Sequence, residues 1–232
     1  TNTLVVNESV GDYTYRCDVT RNGYTMSATA QLSVNPVNLS GATLSATIAE
    51  RAYDGSASAT VTASSIGNSG LAATTDYTIS AEFEDKNAGE NKKVTVTVTL
   101  TNTTNYCFGY GANNQPIMEE TFETTGTIIQ NTDSRKPISV DENIYNSAAH
   151  TYKFDLDSYL TAIKDDLGTM SYGTPEPNSL QRGIGTPVLE GHTLKLPVNA
   201  IRWASETSLG RITIPVNSQN YANVSIEICL KL

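Results

Sequence analysis

Two runs of strict alternation limit the folds open to this chain more than any other feature. They are Tyr77-Thr78-Ile79-Ser80-Ala81-Glu82-Phe83 and Val94-Thr95-Val96-Thr97-Val98-Thr99-Leu100. Successive side chains of an extended strand point to opposite faces, so each run has an apolar side for a core and a polar side for water. Threonine on the wet side keeps β propensity without adding apolar surface. Ala57, Ala59, Val61 and Ala63 predict a third strand of small residues. Between the two long runs, Glu84 to Lys92 is a polar turn with Asn and Gly for left-handed backbone.

Around these strands stand Tyr53-Asp54-Gly55, Asp85-Lys86-Asn87-Ala88-Gly89, Lys92-Lys93-Val94-Thr95-Val96 and Asn105-Tyr106. In kind and order they resemble the YDG repeat of bacterial surface adhesins, over roughly residues 37 to 131. The departure is Cys107 to Glu120, where the family usually runs straight into a last strand and Gly109 to Pro116 here predicts a loop. The resemblance implies a repeated extracellular spacer on the bacterial cell surface, and no chemical activity.

A chain of 232 residues suits two domains. Only 17% of residues are charged, which with many short strands favours β-sandwiches over a helical bundle. The expected fold is all-β, with tandem modules that the resemblances make immunoglobulin-like or β-sandwich. With 15 Lys and Arg against 24 Asp and Glu, the net charge of −9 argues against nucleic acid as a partner. No apolar run has the length of a membrane-spanning helix, so no membrane insertion is expected. The chain opens at Thr1 without a Met or a secretion signal, and is therefore expected to be an internal piece of a longer protein. Cys17, Cys107 and Cys229 lie far apart without paired spacing, which predicts free, mostly buried thiols and neither a disulfide framework nor a zinc site.

Taken in order, residues 1–36 read as the closing hairpin of an immunoglobulin-like domain. Tyr13, Tyr15, Cys17 and Val19 share a face, and Tyr15 two before Cys17 is similar to the tyrosine corner of that fold. Arg21-Asn22-Gly23 makes the hairpin turn. Asn35-Pro36 is a first linker. Residues 37–131 are the YDG-like sandwich, closed by a strand from Thr121 to Ile129. Asn131 to Pro137 is a second linker. Residues 132–232 form another sandwich, with a helix near 158–167 capped by Asp157 and stopped by Gly168. Its late Gln219-Asn220-Tyr221 resembles further repeat modules of bacterial surface proteins. Each linker carries a Pro that fixes one φ, so an extended, stiff arrangement is expected.

Candidates for chemistry are few. His150 opens an apolar strand face and His192 sits in a turn, neither beside a ligand set. Asp155 with Asp157, and Asp141 with Glu142, lack the alternating pattern of a calcium loop and read as caps and solvated charges. No pair of carboxylates is singled out for glycoside hydrolysis. The loop with Tyr106, Phe108, Tyr110, Asn113 and Asn114 is the leading binding candidate, its aromatics and amides suiting a glycan or protein, or else packing on the adjoining domain. Trp203, the single Trp, is either core or a sugar-stacking platform. No catalytic residue, metal or cofactor is expected. The expected function is a non-enzymatic, monomeric spacer in an extracellular adhesin whose distal domains contact host or cell-wall glycan or protein. The alternative is a carbohydrate-binding accessory module of an extracellular enzyme.

Overall fold

A computed structural model describes residues 3–67, 69–133, 137–145, 148–199 and 208–232. Trp203 and the Arg135-Lys136 portion of the second linker lie outside the described residues. Strand makes up 57% of the described residues and helix 6%, so the protein is all-β. By packing it divides into two compact units. The first holds Thr1–Ala49, Ser58–Glu84 and Lys93–Thr125; the second holds Glu50–Ala57, Asp85–Lys92 and Gly126–Leu232.

The first unit opens on an antiparallel ribbon, β1 (Gly11–Arg21) and β2 (Tyr24–Val34), closed by Asn22 and Gly23 at φ 51° and 83°. Two positive-φ residues in succession match the right-handed twist of the flanking strands. One face is polar and laced: Arg16 Nε donates to Asp18 at 2.9 Å, and Thr20 and Thr25 hydroxyls meet at 2.9 Å. The other face pairs Tyr13 with Leu32, Tyr15 with Ala30, Cys17 with Ala28 and Val19 with Met26. The Tyr13 hydroxyl donates to the Ser9 carbonyl at 2.9 Å. Tyr15 instead donates to the Glu8 carboxylate, which pushes its phenol up to about 12. All three cysteines are free, but Cys17 is exposed on this ribbon, contrary to the expected burial; Cys107 is buried and Cys229 half-buried.

The following strands are β3 (Val37–Asn38), β4 (Leu44–Ile48), β5 (Arg51–Ala52), β6 (Ser58–Ala59), β7 (Val61–Ile66), β8 (Tyr77–Phe83), β9 (Gly89–Leu100), β10 (Tyr106–Cys107) and β11 (Glu119–Ile129). The two alternating runs form β8 and β9 and pair antiparallel, Tyr77 opposite Leu100 and Phe83 opposite Val94. The small-residue run 57–63 is not one strand. It breaks at Thr60, so that β6 pairs with β8 while β7 pairs with β4. The run thereby changes sheets, which a one-dimensional alternation does not register. Leu39, Ile66, Tyr77, Val98, Leu100 and Phe108 form the buried core of this sandwich.

The second unit contains β12 (Ile138–Asn143), β13 (His150–Asp155), β14 (Met170–Tyr172), β15 (Glu176–Asn178), β16 (Val188–Glu190), β17 (Thr193–Val198), β18 (Ser208–Ser218) and β19 (Val224–Lys231). A sheet of order β12-β19-β18-β14 and a second of order β13-β17-β16 enclose one core. The expected single helix is two short ones, α1 (Leu156–Leu160) and α2 (Lys164–Leu167). Its cap is Asp155, not Asp157: the Asp155 carboxylate accepts the Asp157 N–H. Leu156, Leu160 and Leu167 are fully buried, so docking sustains helices too short to persist alone. Gly168 closes α2 at φ 66°, and a Cβ there would stand 2.9 Å from the Asn220 amide nitrogen. Among the described residues no helix is long and apolar enough to cross a membrane.

Candidate functional site

The Tyr-Asp-Gly triplet is built by three separate demands. Tyr53 continues the β5–β11 pairing, its N–H donating to the Ile129 carbonyl at 2.9 Å. Asp54 folds the chain back on itself: its carboxylate accepts the Ser56 N–H at 2.8 Å and the Arg51 guanidinium at 2.5 Å. The Ser56 N–H, foremost, holds that carboxyl below its ordinary value. Gly55 takes φ 84°, where a side chain is strained. The Tyr53 ring is 1% exposed and meets the Tyr221 ring edge-on, centroids 5.3 Å apart. Its hydroxyl has no hydrogen-bond partner among the described residues. Burial pushes the phenol up, and the nearby Lys86 ammonium opposes the shift.

The second signature, Asp85 to Gly89, is a turn held at both ends. The Asp85 carboxylate accepts the Asn87 N–H at 2.7 Å and the Lys92 ammonium at 2.8 Å. Lys92 is 8% exposed, and it chiefly holds the Asp85 carboxyl below its usual range. The turn's remaining polar groups are read by Gln219 and Asn220. Asn220 accepts the Ala88 N–H at 2.8 Å and donates to Asn87 Oδ1 and the Asp166 carbonyl, both at 2.9 Å. Gln219 Nε2 donates to the Ala88 carbonyl at 2.9 Å, and Asn131 Nδ2 to the Tyr53 carbonyl at 3.0 Å. Asn220 is fully buried. A buried amide with all its hydrogen bonds made gives specificity, since each lost partner leaves an uncompensated group. Both signatures thus belong to the second unit, and their polar groups are taken up by hydrogen bonds within it.

The binding loop of the sequence analysis is more closed than expected. Phe108 N–H donates to Ile117 O at 2.8 Å, Ile117 N–H to Gly109 O at 2.9 Å, and Gly111 N–H to Gln115 O at 2.8 Å. Asn113 and Asn114 sit exposed at its tip at φ 61° and 56°. Tyr110 is 38% exposed and bridges to Pro116. Tyr106 is half-buried beside β3, and Phe108 is core. The loop therefore does not gather its aromatics on one surface. Phe108 instead lines a 340 Å³ groove with Phe122, Leu39, Leu44, Ser40 and Glu120. Phe122 was hidden in the alternation of the closing strand, and only the fold brings it to Phe108.

A polar cluster in the second unit centres on Asp157. Its carboxylate accepts the Tyr172 hydroxyl at 2.6 Å and meets His192 Nδ1 and Lys164 Nζ, both at 3.0 Å. Tyr172, then His192 and Lys164, hold the Asp157 carboxyl well below the usual range. This pins α1 to β14 and to the turn after β16. His150 stacks edge-on against Tyr152 at 4.9 Å. Glu142 accepts the Tyr159 hydroxyl, and Asp141 the Lys231 ammonium. Among the described residues no three His, Cys, Asp or Glu side chains stand close enough to hold a metal ion.

The fold that carries these joints is all-β. Residues 35–114 match the family model of the YDG domain. No curated protein matches the chain. Among solved structures, an endo-fucoidan hydrolase of glycoside hydrolase family 107 aligns at 12% identity and TM-score 0.26, over 96% of this chain and 34% of that one. The chain spans about a third of that protein, and at such a score the likeness carries no argument.

Proposed function

We propose that the chain is a non-enzymatic spacer segment of a bacterial cell-surface adhesin, made of tandem immunoglobulin-like sandwich modules, monomeric, and carrying a distal head that engages host or cell-wall glycan or protein. One observation carries this reading: the family's signature groups are used in holding structure. Asp54, Asp85, Asn87 and Ala88 have their polar groups committed to neighbours, and the Tyr53 ring is buried. A stalk needs joints of this kind, because a fixed junction holds distance where a Gly/Ser tether gives it up to entropy. Small-angle scattering with a glycan array tests the reading. It expects a radius of gyration clearly above the about 17 Å of a compact chain this long, and no glycan bound. A compact particle, or one that binds sugar, counts against it.

The groove lined by Phe108 and Phe122 favours the second reading, a carbohydrate-binding accessory module. The half-buried Phe122 ring beside Ser40, Glu120 and Thr121 suits a pyranose, with ring stacking below and hydroxyl partners at the rim. Array binding abolished by Phe122→Ala would support it. Binding that survives this change would place the site elsewhere.

A further inference from the structure

One piece of backbone chemistry occurs twice. In the second unit the Asn131 N–H donates to the Asn220 carbonyl at 2.8 Å, and Asn131 lies in parallel register with Tyr221. In the first unit the Val37 N–H donates to the Asn105 carbonyl at 2.8 Å, and Val37 lies in parallel register with Tyr106. Each Asn-Tyr pair comes after a long strand, β18 or β9, and before the unit's closing strand, β19 or β11. Each is met by a segment that has just left a long strand, β11 or β2. Asn105-Tyr106 therefore occupies in the first unit the place of Asn220-Tyr221 in the second.

The two pairs differ in what covers them. Asn220 is fully buried under Asn87 and Ala88, and Tyr221 abuts Tyr53. Asn105 is exposed, and Tyr106, like Tyr221, is half-buried. Thr104 stands where Gln219 stands and offers a hydroxyl in place of an amide.

We infer that Thr104, Asn105 and Tyr106 form a receiver for another module of the YDG class, one that presents a free Tyr-Asp-Gly loop and Asn-Ala-Gly turn. The Asn105 amide accepts the turn's Ala N–H and donates to its Asn side chain, as Asn220 does, and the Tyr106 ring takes the loop's Tyr edge-on. This chain's own loop and turn are already engaged, so the partner is a further module and not a second intact copy. The contact is head-to-tail, and such contacts propagate in one direction. It deepens the spacer reading and rests on it.

The test inserts a second copy of residues 37–131 between Pro36 and Val37 of the full chain. Amide exchange is then followed at Ala88 of the inserted copy, with Val96 and Val98 of both copies reporting that each is folded. Ala88 of the inserted copy is expected to exchange at least tenfold more slowly than the same amide when Asn105 of the following copy is changed to Ala. Fast exchange at Ala88 in a folded inserted copy overturns the proposal. So does an inserted copy that fails to fold, because the same sequence folds beside Asn220. Either failure leaves the spacer reading to its own scattering and glycan measurements, and sugar binding there would leave this contact untouched.

Discussion

The ribbon β1–β2 and the ribbon β18–β19 are both antiparallel, both alternate, and both have long ladders. Their fates differ. Ile212 opposite Ile228 is fully buried in the second unit, whereas Val19 opposite Met26 is 62% and 78% exposed. Ladder hydrogen bonds are the same in both, since each residue in a strand offers one donor and one acceptor. What separates them is a second layer: β18–β19 faces β13, β17 and the two helices across a shared core. Alternation marks which face is meant to be covered. It does not supply the cover, and burial is where most of the stabilisation arises.

Truncating the two apolar rows separates the ribbons most plainly. Ile228→Ala is expected to cost about 2–5 kcal/mol in chemical denaturation of the second unit. Met26→Ala is expected to stay within about 0.5 kcal/mol, as for exposed positions generally. A large loss at Met26 would mean its face is covered in solution. Next in size is Asn220→Ala, which removes the acceptor of the Ala88 N–H and is expected to cost roughly 1–3 kcal/mol. Asn105→Ala in the same chain is expected to change thermal unfolding little. Equal losses at the two positions would show that Asn105 is already engaged.

A smaller effect is pH-dependent. The Asp157 carboxyl titrates below its unfolded value of about 4, because Tyr172, His192 and Lys164 favour its charged form. Its contribution is present above that value and lost as pH falls beneath it. The unfolding temperature of the second unit should therefore drop on acidification below about pH 4, and Asp157→Asn should flatten that part of the profile. The smallest effect is expected from Tyr53→Phe, under about 1 kcal/mol, because the hydroxyl removed has no hydrogen-bond partner among the described residues. Tyr53→Ala would cost several times more, and a calorimetric series of the two separates ring from hydroxyl.

The all-β class was legible because Tyr77 to Phe83 and Val94 to Leu100 are long enough for the period to be unambiguous. Gly168 was legible as a helix stop. Sheet membership was not: the run from Ala57 to Ala63 divides between two sheets at Thr60, and alternation is blind to which neighbour a strand chooses. The helix boundary shifted because Asp155 and Asp157 are equally good caps by type, and only packing of Leu156 chose between them. The site was the least legible. Gln219 and Asn220 stood out in the sequence only through a resemblance to other repeat modules, yet Asn220 meets Ala88 and Asn87 across 132 and 133 positions of sequence. The one available signal was the recurrence of Asn-Tyr at 105–106 and 220–221.

If the family's signature residues exist to be gripped, the grip must show at the amide it covers. Hydrogen exchange at Ala88, read in the native chain and in Asn220→Ala, tests this most directly. Ala88 is expected to be protected as strongly as core amides such as Ile228, and the substitution to release it while Ile228 stays protected. An Ala88 amide that exchanges like an open turn in the native chain would contradict the grip.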